Sequence, residues 1–137
     1  PSALAGKQSI PPAGHKLYDV IALAWPRLAE RVQFIEAHLE KFNLSSDDVG
    51  VSVHACGSLT DRVLDQETKA GARLAVLPCC HNLDESAQGD LGGWLEGTMA
   101  VDVARAITLR HNGYTIYTQL IPEEITAKNR LLLAEPA

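Results

Sequence analysis

The sequence predicts a single α/β domain with a mainly parallel sheet whose last strand runs antiparallel. The chain has 137 residues, of which 46% are hydrophobic and 21% are charged, as in an ordinary globular domain. Short apolar segments alternate with stretches of helical periodicity, which is the pattern of strand–helix–strand units. The last two apolar segments are joined by about eight residues, too few for a parallel crossover.

The elements follow one another along the chain without an internal repeat. In order, we predict a linker or irregular segment (1–14), a helix (15–30), a strand (31–37), a helical turn (39–42), a strand (49–55), a helix (58–69), a strand (73–78), a helix (94–111) and two strands (114–121 and 130–135). Residues 15–137 form the predicted domain, because the preceding residues are small and rich in Pro and Gly.

The first predicted helix and strand differ in the spacing of their apolar residues. Apolar side chains recur at helical spacing from residue 15, and Pro26 ends or kinks that helix near Ala24 or Trp25. The segment RVQFIEA at 31–37 is strand-like, and the valines of VGVSVHA at 49–55 indicate a buried strand.

The later helices carry signals at their ends. Ser58 and Asp61 form a plausible capping box that opens the second helix. The third helix ends at Asn112-Gly113, which is a typical C-cap. Four apolar residues spaced by four are expected to form its buried stripe: Leu95, Met99, Val103 and Ile107.

Charge and cysteine content restrict the function classes. A net charge of −5 argues against an electrostatic grip on nucleic acid by this chain alone. The longest apolar run is far too short to span a bilayer, so no membrane partner is expected. Three cysteines, two of them adjacent, make a poor disulfide framework and favour a reducing cytoplasm.

Two short segments carry the chemistry, HACG and PCCH, each at the carboxyl end of a predicted strand. Alternation along the strands would place His54 with Cys56, and Cys79 with His81, while Cys80 packs oppositely as a core residue. Three interpretations remain open. The four residues could bind zinc as a Cys₂His₂ set, Cys56 could be a reactive thiolate before a helix, or they could simply line a pocket.

The segments VSVHACGSLTDRVLD, LAVLPCCHN and VARAITLRHNGYTIYTQLIPEEITAKNRLLL resemble class I S-adenosylmethionine methyltransferase-like proteins. Such proteins carry H-x-C-G…T-D and P-C-C-H motifs, and the resemblance covers residues 16–136. It implies a three-layer, Rossmann-like methyltransferase sheet that lacks the first two strands, with an antiparallel last strand.

The resemblance also implies roles for particular residues. His54, Cys56, Cys79 and His81 would form the catalytic pocket, with no resident metal. S-adenosylmethionine would be the cofactor, and its contacts would come from Glu36, Ala37, His38 and Gly57.

The missing strands limit the activity that the resemblance implies. The chain would be the carboxyl-terminal part of an RNA-modifying methyltransferase, unable to bind S-adenosylmethionine alone. The alternatives are a non-enzymatic interaction or self-association module and a small Cys/His metal-binding protein. Expected partners are a second copy of the chain or a missing amino-terminal segment, and RNA as substrate.

Two structural expectations follow from the missing strands. The strand at 31–37 should pair with the strand at 49–55 and give a five-stranded sheet, in the order 3-4-5-7-6 of the full methyltransferase sheet. Apolar surface should be uncovered on the first helix, at Leu17, Val20, Ile21 and Trp25, and should lead to self-association.

Overall fold

The computed structural model describes residues 12–35 and 37–137, with side chains described from Lys16 onward. The chain divides into two compact units, one ending at Phe42 and the other running from Asn43 to Ala137. Each unit is described by itself. Residues 1–11 of the predicted linker lie outside the described part of the chain.

The first unit is built around helix α1, Pro12–Ala24. The helix ends just before Trp25 and Pro26, where a 3₁₀ turn, Pro26–Leu28, takes over. Proline lacks the N–H that would continue the helix, so the predicted end near residues 24–25 is confirmed. A second 3₁₀ turn, Leu39–Lys41, confirms the predicted helical turn. Leu17, Val20 and Trp25 are exposed, and self-association through this helix stays a prediction.

The predicted strand at 31–37 is wrong. Its described residues, 31–35 and 37, have no strand conformation. The Phe34 ring instead meets the Tyr18 ring of α1 edge-on, with centroids 6.4 Å apart. Phe34 therefore packs locally on a helix and needs no strand partner.

The second unit contains a mixed sheet and two α-helices. Its strands and α-helices are β1 (Val49–Val53), α2 (Ser58–Ala70), β2 (Arg73–Leu77), α3 (Gly97–His111), β3 (Tyr114–Leu120) and β4 (Arg130–Pro136), and a 3₁₀ turn, Leu91–Gly93, precedes α3. The described residues form a four-stranded sheet in the order β1-β2-β4-β3. β1 and β2 are parallel, and β4 runs antiparallel to both β2 and β3.

The α/β class and the reversed last strand are thus confirmed, whereas the fifth strand is wrong for the described residues. The burial predicted for the valines of β1 is also wrong, since Val49, Val51 and Val53 are exposed. The short connection between β3 and β4 forces them to pair as an antiparallel hairpin, as the sequence predicted. β4 inserts between β2 and β3. This order leaves β1 and β3 as the edges of the sheet.

Both helices of the second unit pack on one face of the sheet. By strand register this face carries Gly50, Leu74 and Ala134. The carboxyl group of Glu67 in α2 lies directly against Gly50, and Tyr114 donates its hydroxyl hydrogen to the Ala72 carbonyl at 3.0 Å. The hydrophobic core lies between these helices and this face.

The buried stripe of α3 differs from the one predicted. Met99 is 38% exposed and Ile107 is 46% exposed, whereas the buried residues are Ala100, Val101, Arg105 and Leu109. The helix starts at Gly97 rather than at residue 94, because the Glu96 side chain caps it by accepting from the backbone N–H groups of Thr98 and Met99. The buried side of α3 was not predicted because it contains Arg105, and a charged residue is not expected in a buried row.

The capping box predicted for α2 is also wrong, although the helix bounds are close to those expected. Gly57 is the N-cap residue, with φ at 57°, and Ser58 is already helical. Glycine adopts such a positive φ without steric cost, so the backbone rather than a serine side chain starts this helix. Across the described residues, no helix is long and apolar enough to cross a membrane.

We predict that Gly50→Ala destabilises the second unit. A Cβ at this position would lie 1.6 Å from Glu67 Oε1, so the buried carboxyl group must shift. Overpacking of this kind costs about 1–3 kcal/mol. Thermal or urea unfolding measures the loss, with Gly93→Ala as control, because a Cβ at Gly93 would meet no described heavy atom within 4 Å. Equal stability of the two variants would contradict the packing described for Gly50.

We also predict that Glu67 makes stability depend on pH. Burial raises the pKa of its carboxyl from an ordinary 4.5 to about 7, and Oε2 has no hydrogen-bond partner among the described residues. The folded state therefore holds the proton more tightly than the unfolded state, and stability falls as pH rises from about 4.5 through about 7.

Replacement by the neutral amide tests this prediction. Glu67→Gln should remove a loss on the order of 3 kcal/mol between about pH 5 and about pH 8, since one pKa unit corresponds to about 1.4 kcal/mol. Urea unfolding across this range measures it. Parallel pH profiles for the original chain and the variant would show that Glu67 is not the titrating group.

Candidate functional site

The HACG and PCCH segments follow neighbouring strands and are tied together by backbone hydrogen bonds. β1 ends at Val53 and β2 ends at Leu77. Because the two strands are parallel, both segments begin at the carboxyl ends of neighbouring strands. The His54 N–H donates to the Leu77 carbonyl at 3.2 Å, and the Gly57 N–H donates to the Cys80 carbonyl at 2.8 Å. These bonds continue the strand pairing into the two loops and fix the cysteines beside each other.

The three cysteines form one group, which we call the thiol cluster: Cys56, Cys79 and Cys80. Their Sγ atoms all lie within 4.8 Å of one another. The Sγ atom of Cys79 lies 3.5 Å from that of Cys56 and 3.6 Å from that of Cys80. Cys79 is 6% exposed, whereas Cys56 and Cys80 are exposed. The cluster therefore has one buried thiol between two thiols that solvent reaches.

One sequence expectation about this cluster is wrong, because Cys80 is exposed and does not pack into the core. That His54 and His81 lie near Cys56 and Cys79 stays a prediction, and among the described residues the group within 4.8 Å contains neither imidazole. The physical reason is that both strands end before the motifs, so side-chain alternation no longer applies. His54 has a positive φ of 61°, which redirects the chain after β1.

The buried member of the thiol cluster differs electrostatically from an ordinary cysteine. Burial, and after it the neighbouring thiols of Cys56 and Cys80, together raise the pKa of the Cys79 thiol from 9.0 to about 11. Cys56 Sγ–H points at the His54 carbonyl at 3.6 Å. Cys79 is therefore a protonated thiol at neutral pH, and it is also the least accessible of the three cysteines.

His81 forms an ion pair with Asp102. Its Nε2 atom lies 2.7 Å from Asp102 Oδ1, and its side chain is 2% exposed. Asp102 also accepts from Arg130 Nε at 2.7 Å and from Arg105 Nη1 at 3.3 Å. The histidine thereby anchors the loop after β2 to α3 and to the start of β4.

Arg105 completes this ion-pair network, which comprises Asp61, His81, Asp102, Arg105 and Arg130. The Arg105 side chain is 4% exposed and donates to Asp61 through Nε at 2.7 Å and through Nη2 at 3.1 Å. Nη2 also donates to the Gly57 carbonyl at 3.3 Å, next to Cys56. One guanidinium therefore holds α2, α3 and the HACG loop together.

The sequence expectations missed this network, although a signal was present. Val101, Arg105 and Leu109 are spaced by four and share one side of α3. An arginine in such a row is buried only when carboxylates neutralise it. Asp102 and Asp61 supply that charge, one from the same helix and one from α2.

The residues assigned to S-adenosylmethionine lie in different parts of the chain. Glu36 is outside the described residues, and Ala37 and His38 belong to the unit that ends at Phe42. His38 is the N-cap residue of the second 3₁₀ turn. Gly57 belongs to the other unit, where it caps α2. His54 is exposed at the start of the HACG loop.

Comparison with known proteins gives partial relatives of one kind. A glutathione S-transferase C-terminal domain-containing protein of Xenopus laevis is 46% identical over 50 residues, covering 36% of this chain and 8% of the relative. The Homo sapiens protein of the same name is 38% identical over 50 residues, 36% of this chain and 8% of the relative. A Drosophila melanogaster homologue is 27% identical over 140 residues, 73% of this chain and 24% of the relative.

This chain thus spans 24% or less of the length of these relatives. No family model matches the chain, and no solved structure matches it.

These relatives overturn the methyltransferase resemblance, and with it methyltransferase activity and S-adenosylmethionine as cofactor. They are named for a glutathione S-transferase C-terminal domain, not for methyl transfer. The two motifs have local structural explanations. Gly57 is required by a positive φ at the start of α2, and Pro78 follows the last residue of β2.

We predict that Asp102→Asn destabilises the second unit strongly. The substitution removes the carboxylate that faces His81, Arg105 and Arg130, and breaking such a buried pair costs about 3 kcal/mol or more. Urea unfolding measures the loss. Asp65→Asn is the matched control, because its ion pair with Lys69 is exposed and worth under about 1 kcal/mol. Similar losses in both variants would contradict a central role for Asp102.

Proposed function

We propose that this chain carries a dithiol centre that exchanges disulfides with glutathione. The observation that carries the proposal is the 3.5 Å distance between Cys56 Sγ and Cys79 Sγ. Two thiols this close need only small side-chain rotations to reach a disulfide bond length of about 2.05 Å. The names of the relatives contain a glutathione S-transferase C-terminal domain, which supports glutathione as the low-molecular-weight thiol.

Cys56 is the attacking residue in this proposal. It is exposed and lies just before α2, and a helix N-terminus favours the negative charge of a thiolate. Cys79 is the resolving residue, because its 6% exposure keeps oxidised glutathione from reaching it directly. The order of reaction therefore follows from accessibility.

The exchange proceeds in two balanced steps. The Cys56 thiolate attacks one sulfur of oxidised glutathione, a mixed disulfide forms, and one glutathione thiolate leaves with the electron pair and takes a proton from water. Cys79 then loses its proton to solvent and attacks Cys56 Sγ, and the second glutathione thiolate leaves. The protein dithiol is oxidised to a disulfide, and oxidised glutathione is reduced to two thiols.

The alternative bond between Cys79 and Cys80 is disfavoured on geometric grounds. Adjacent residues have Cα atoms about 3.8 Å apart across a trans peptide, whereas disulfides need about 4.4–6.8 Å. Cys80 therefore forms no disulfide with Cys79 in this proposal, although the two thiols lie 3.6 Å apart.

Mass spectrometry after reaction with oxidised glutathione tests the proposal. We expect the reduced chain to form a Cys56–Cys79 disulfide, with Cys80 still free for alkylation. Tryptic cleavage at Arg62, Lys69 and Arg73 separates the two partners, so the cross-link is directly visible.

Three variants separate the roles of the thiols. Cys79→Ser should stop at a glutathione adduct on Cys56, Cys56→Ser should leave Cys79 unreacted, and Cys80→Ser should react like the original chain. A glutathione adduct that forms on Cys80 while Cys56 stays reduced would contradict the proposal, as would an oxidised product that joins Cys79 to Cys80.

A further inference from the structure

We infer that the thiol cluster is also a binding site for one soft, thiophilic metal ion, held by the Sγ atoms of Cys56, Cys79 and Cys80. The site uses the same sulfur atoms as the proposed exchange but does not depend on it. It differs from the four-residue histidine and cysteine set considered from the sequence, since Cys80 is a ligand and neither imidazole takes part.

The spacing of the sulfur atoms suits a metal–thiolate centre. A metal ion with metal–sulfur bonds near 2.3 Å separates its thiolate sulfurs by about 3.8–4.0 Å in tetrahedral or trigonal geometry. The observed separations from Cys79 Sγ are 3.5 and 3.6 Å, and all three atoms lie within 4.8 Å of one another. Adjustments of a few tenths of an ångström bring both neighbours of Cys79 to this spacing, and the third pair has to close from no more than 4.8 Å.

The donor set determines the kind of metal. Thiolate sulfur is a soft ligand that selects copper(I) and zinc over calcium, magnesium or manganese. The cluster offers three donors among the described residues. Copper(I) in trigonal coordination needs no more, whereas zinc(II) takes a water molecule or a further ligand in the fourth position. In either case each thiol that binds loses its proton to solvent.

The two loops hold the ligands in place before a metal arrives. The Gly57 N–H donates to the Cys80 carbonyl at 2.8 Å, and Arg105 donates to the Gly57 carbonyl at 3.3 Å. The bonds join the residue after Cys56 to one of the other ligands and to the ion-pair network. A site ordered in this way avoids part of the entropy cost of assembling three ligands from separate loops. Cys56 and Cys80 are exposed, which gives the ion a path of entry.

Metal titration of the reduced 137-residue chain tests the inference. Zinc(II) and copper(I) are used in separate arms, each in competition with a chromophoric chelator and without oxygen. We expect one ion per chain in at least one arm, and X-ray absorption should show about three sulfur ligands near 2.3 Å.

Cys80→Ser is the deciding variant, because it removes a metal ligand but leaves Cys56 and Cys79 for disulfide exchange. The residue is exposed, so the variant should fold. We expect at least a tenfold loss of affinity, whereas His111→Gln, an exposed imidazole at the end of α3, should bind like the original chain. Equal binding by the original chain and Cys80→Ser would overturn the inference, as would a bound metal ion whose ligands are mostly nitrogen or oxygen atoms.

The two proposals fail separately. If neither ion binds while metal-free chain still forms the Cys56–Cys79 disulfide, the metal site is wrong and the exchange stands. If an ion binds through three sulfurs but oxidised glutathione gives no disulfide in the metal-free chain, the exchange is wrong and the metal site stands.

Discussion

The charge of Arg105 lies inside the second unit, where a guanidinium is stable only if carboxylates and carbonyls surround it. Asp61 binds it from α2, Asp102 binds it from α3, and the Gly57 carbonyl binds it from the loop that carries Cys56. The packing of the two helices and the position of the first thiol therefore depend on the same side chain.

Asp102 extends this constraint to the second loop. It accepts from His81, which follows the cysteine pair, and from Arg130 at the start of β4. The loop after β2 is thus fixed by two contacts, the His81–Asp102 ion pair and the hydrogen bond from the Gly57 N–H to the Cys80 carbonyl. The thiol cluster results from two loops that are each held from outside the cluster.

Cys79 is the thiol that both proposals have in common. Its buried sulfur lies next to both exposed sulfurs, so it can join Cys56 in a disulfide or join both neighbours around a metal ion. The two states exclude each other, because a disulfide sulfur no longer offers a thiolate to the metal. A metal ion held here would therefore protect the dithiol from oxidation.

Much of the second unit could be predicted from its sequence because local rules decide it. Helices α2 and α3, the strands and the reversed β4 follow from periodicity, Gly and Pro positions and the short β3–β4 connection. The strand predicted at 31–37 is wrong because an apolar pattern does not reveal whether a neighbouring strand exists to pair with it. The Phe34 ring contacts the ring of Tyr18 in α1 instead.

The site was harder to predict because it lies just beyond the strands. His54 and Cys56 were placed by strand alternation, which stops at Val53, and the positive φ of His54 could not be read from the residue type. Arg105 was missed because its burial depends on Asp61, 44 residues away in the chain. The two short motifs led to a wrong family because they mark where strands end. They do not contain the distant residues whose contacts complete the site.

A crystal structure of the chain under reducing, metal-free conditions would measure the sulfur–sulfur distances and the Arg105 contacts on which the thiol cluster depends. We expect the three Sγ atoms within about 5 Å of one another, with Arg105 in contact with both Asp61 and the Gly57 carbonyl. A structure in which Cys80 Sγ points into the core, or in which His81 Nε2 replaces it beside Cys56 and Cys79, would contradict this arrangement of the thiols.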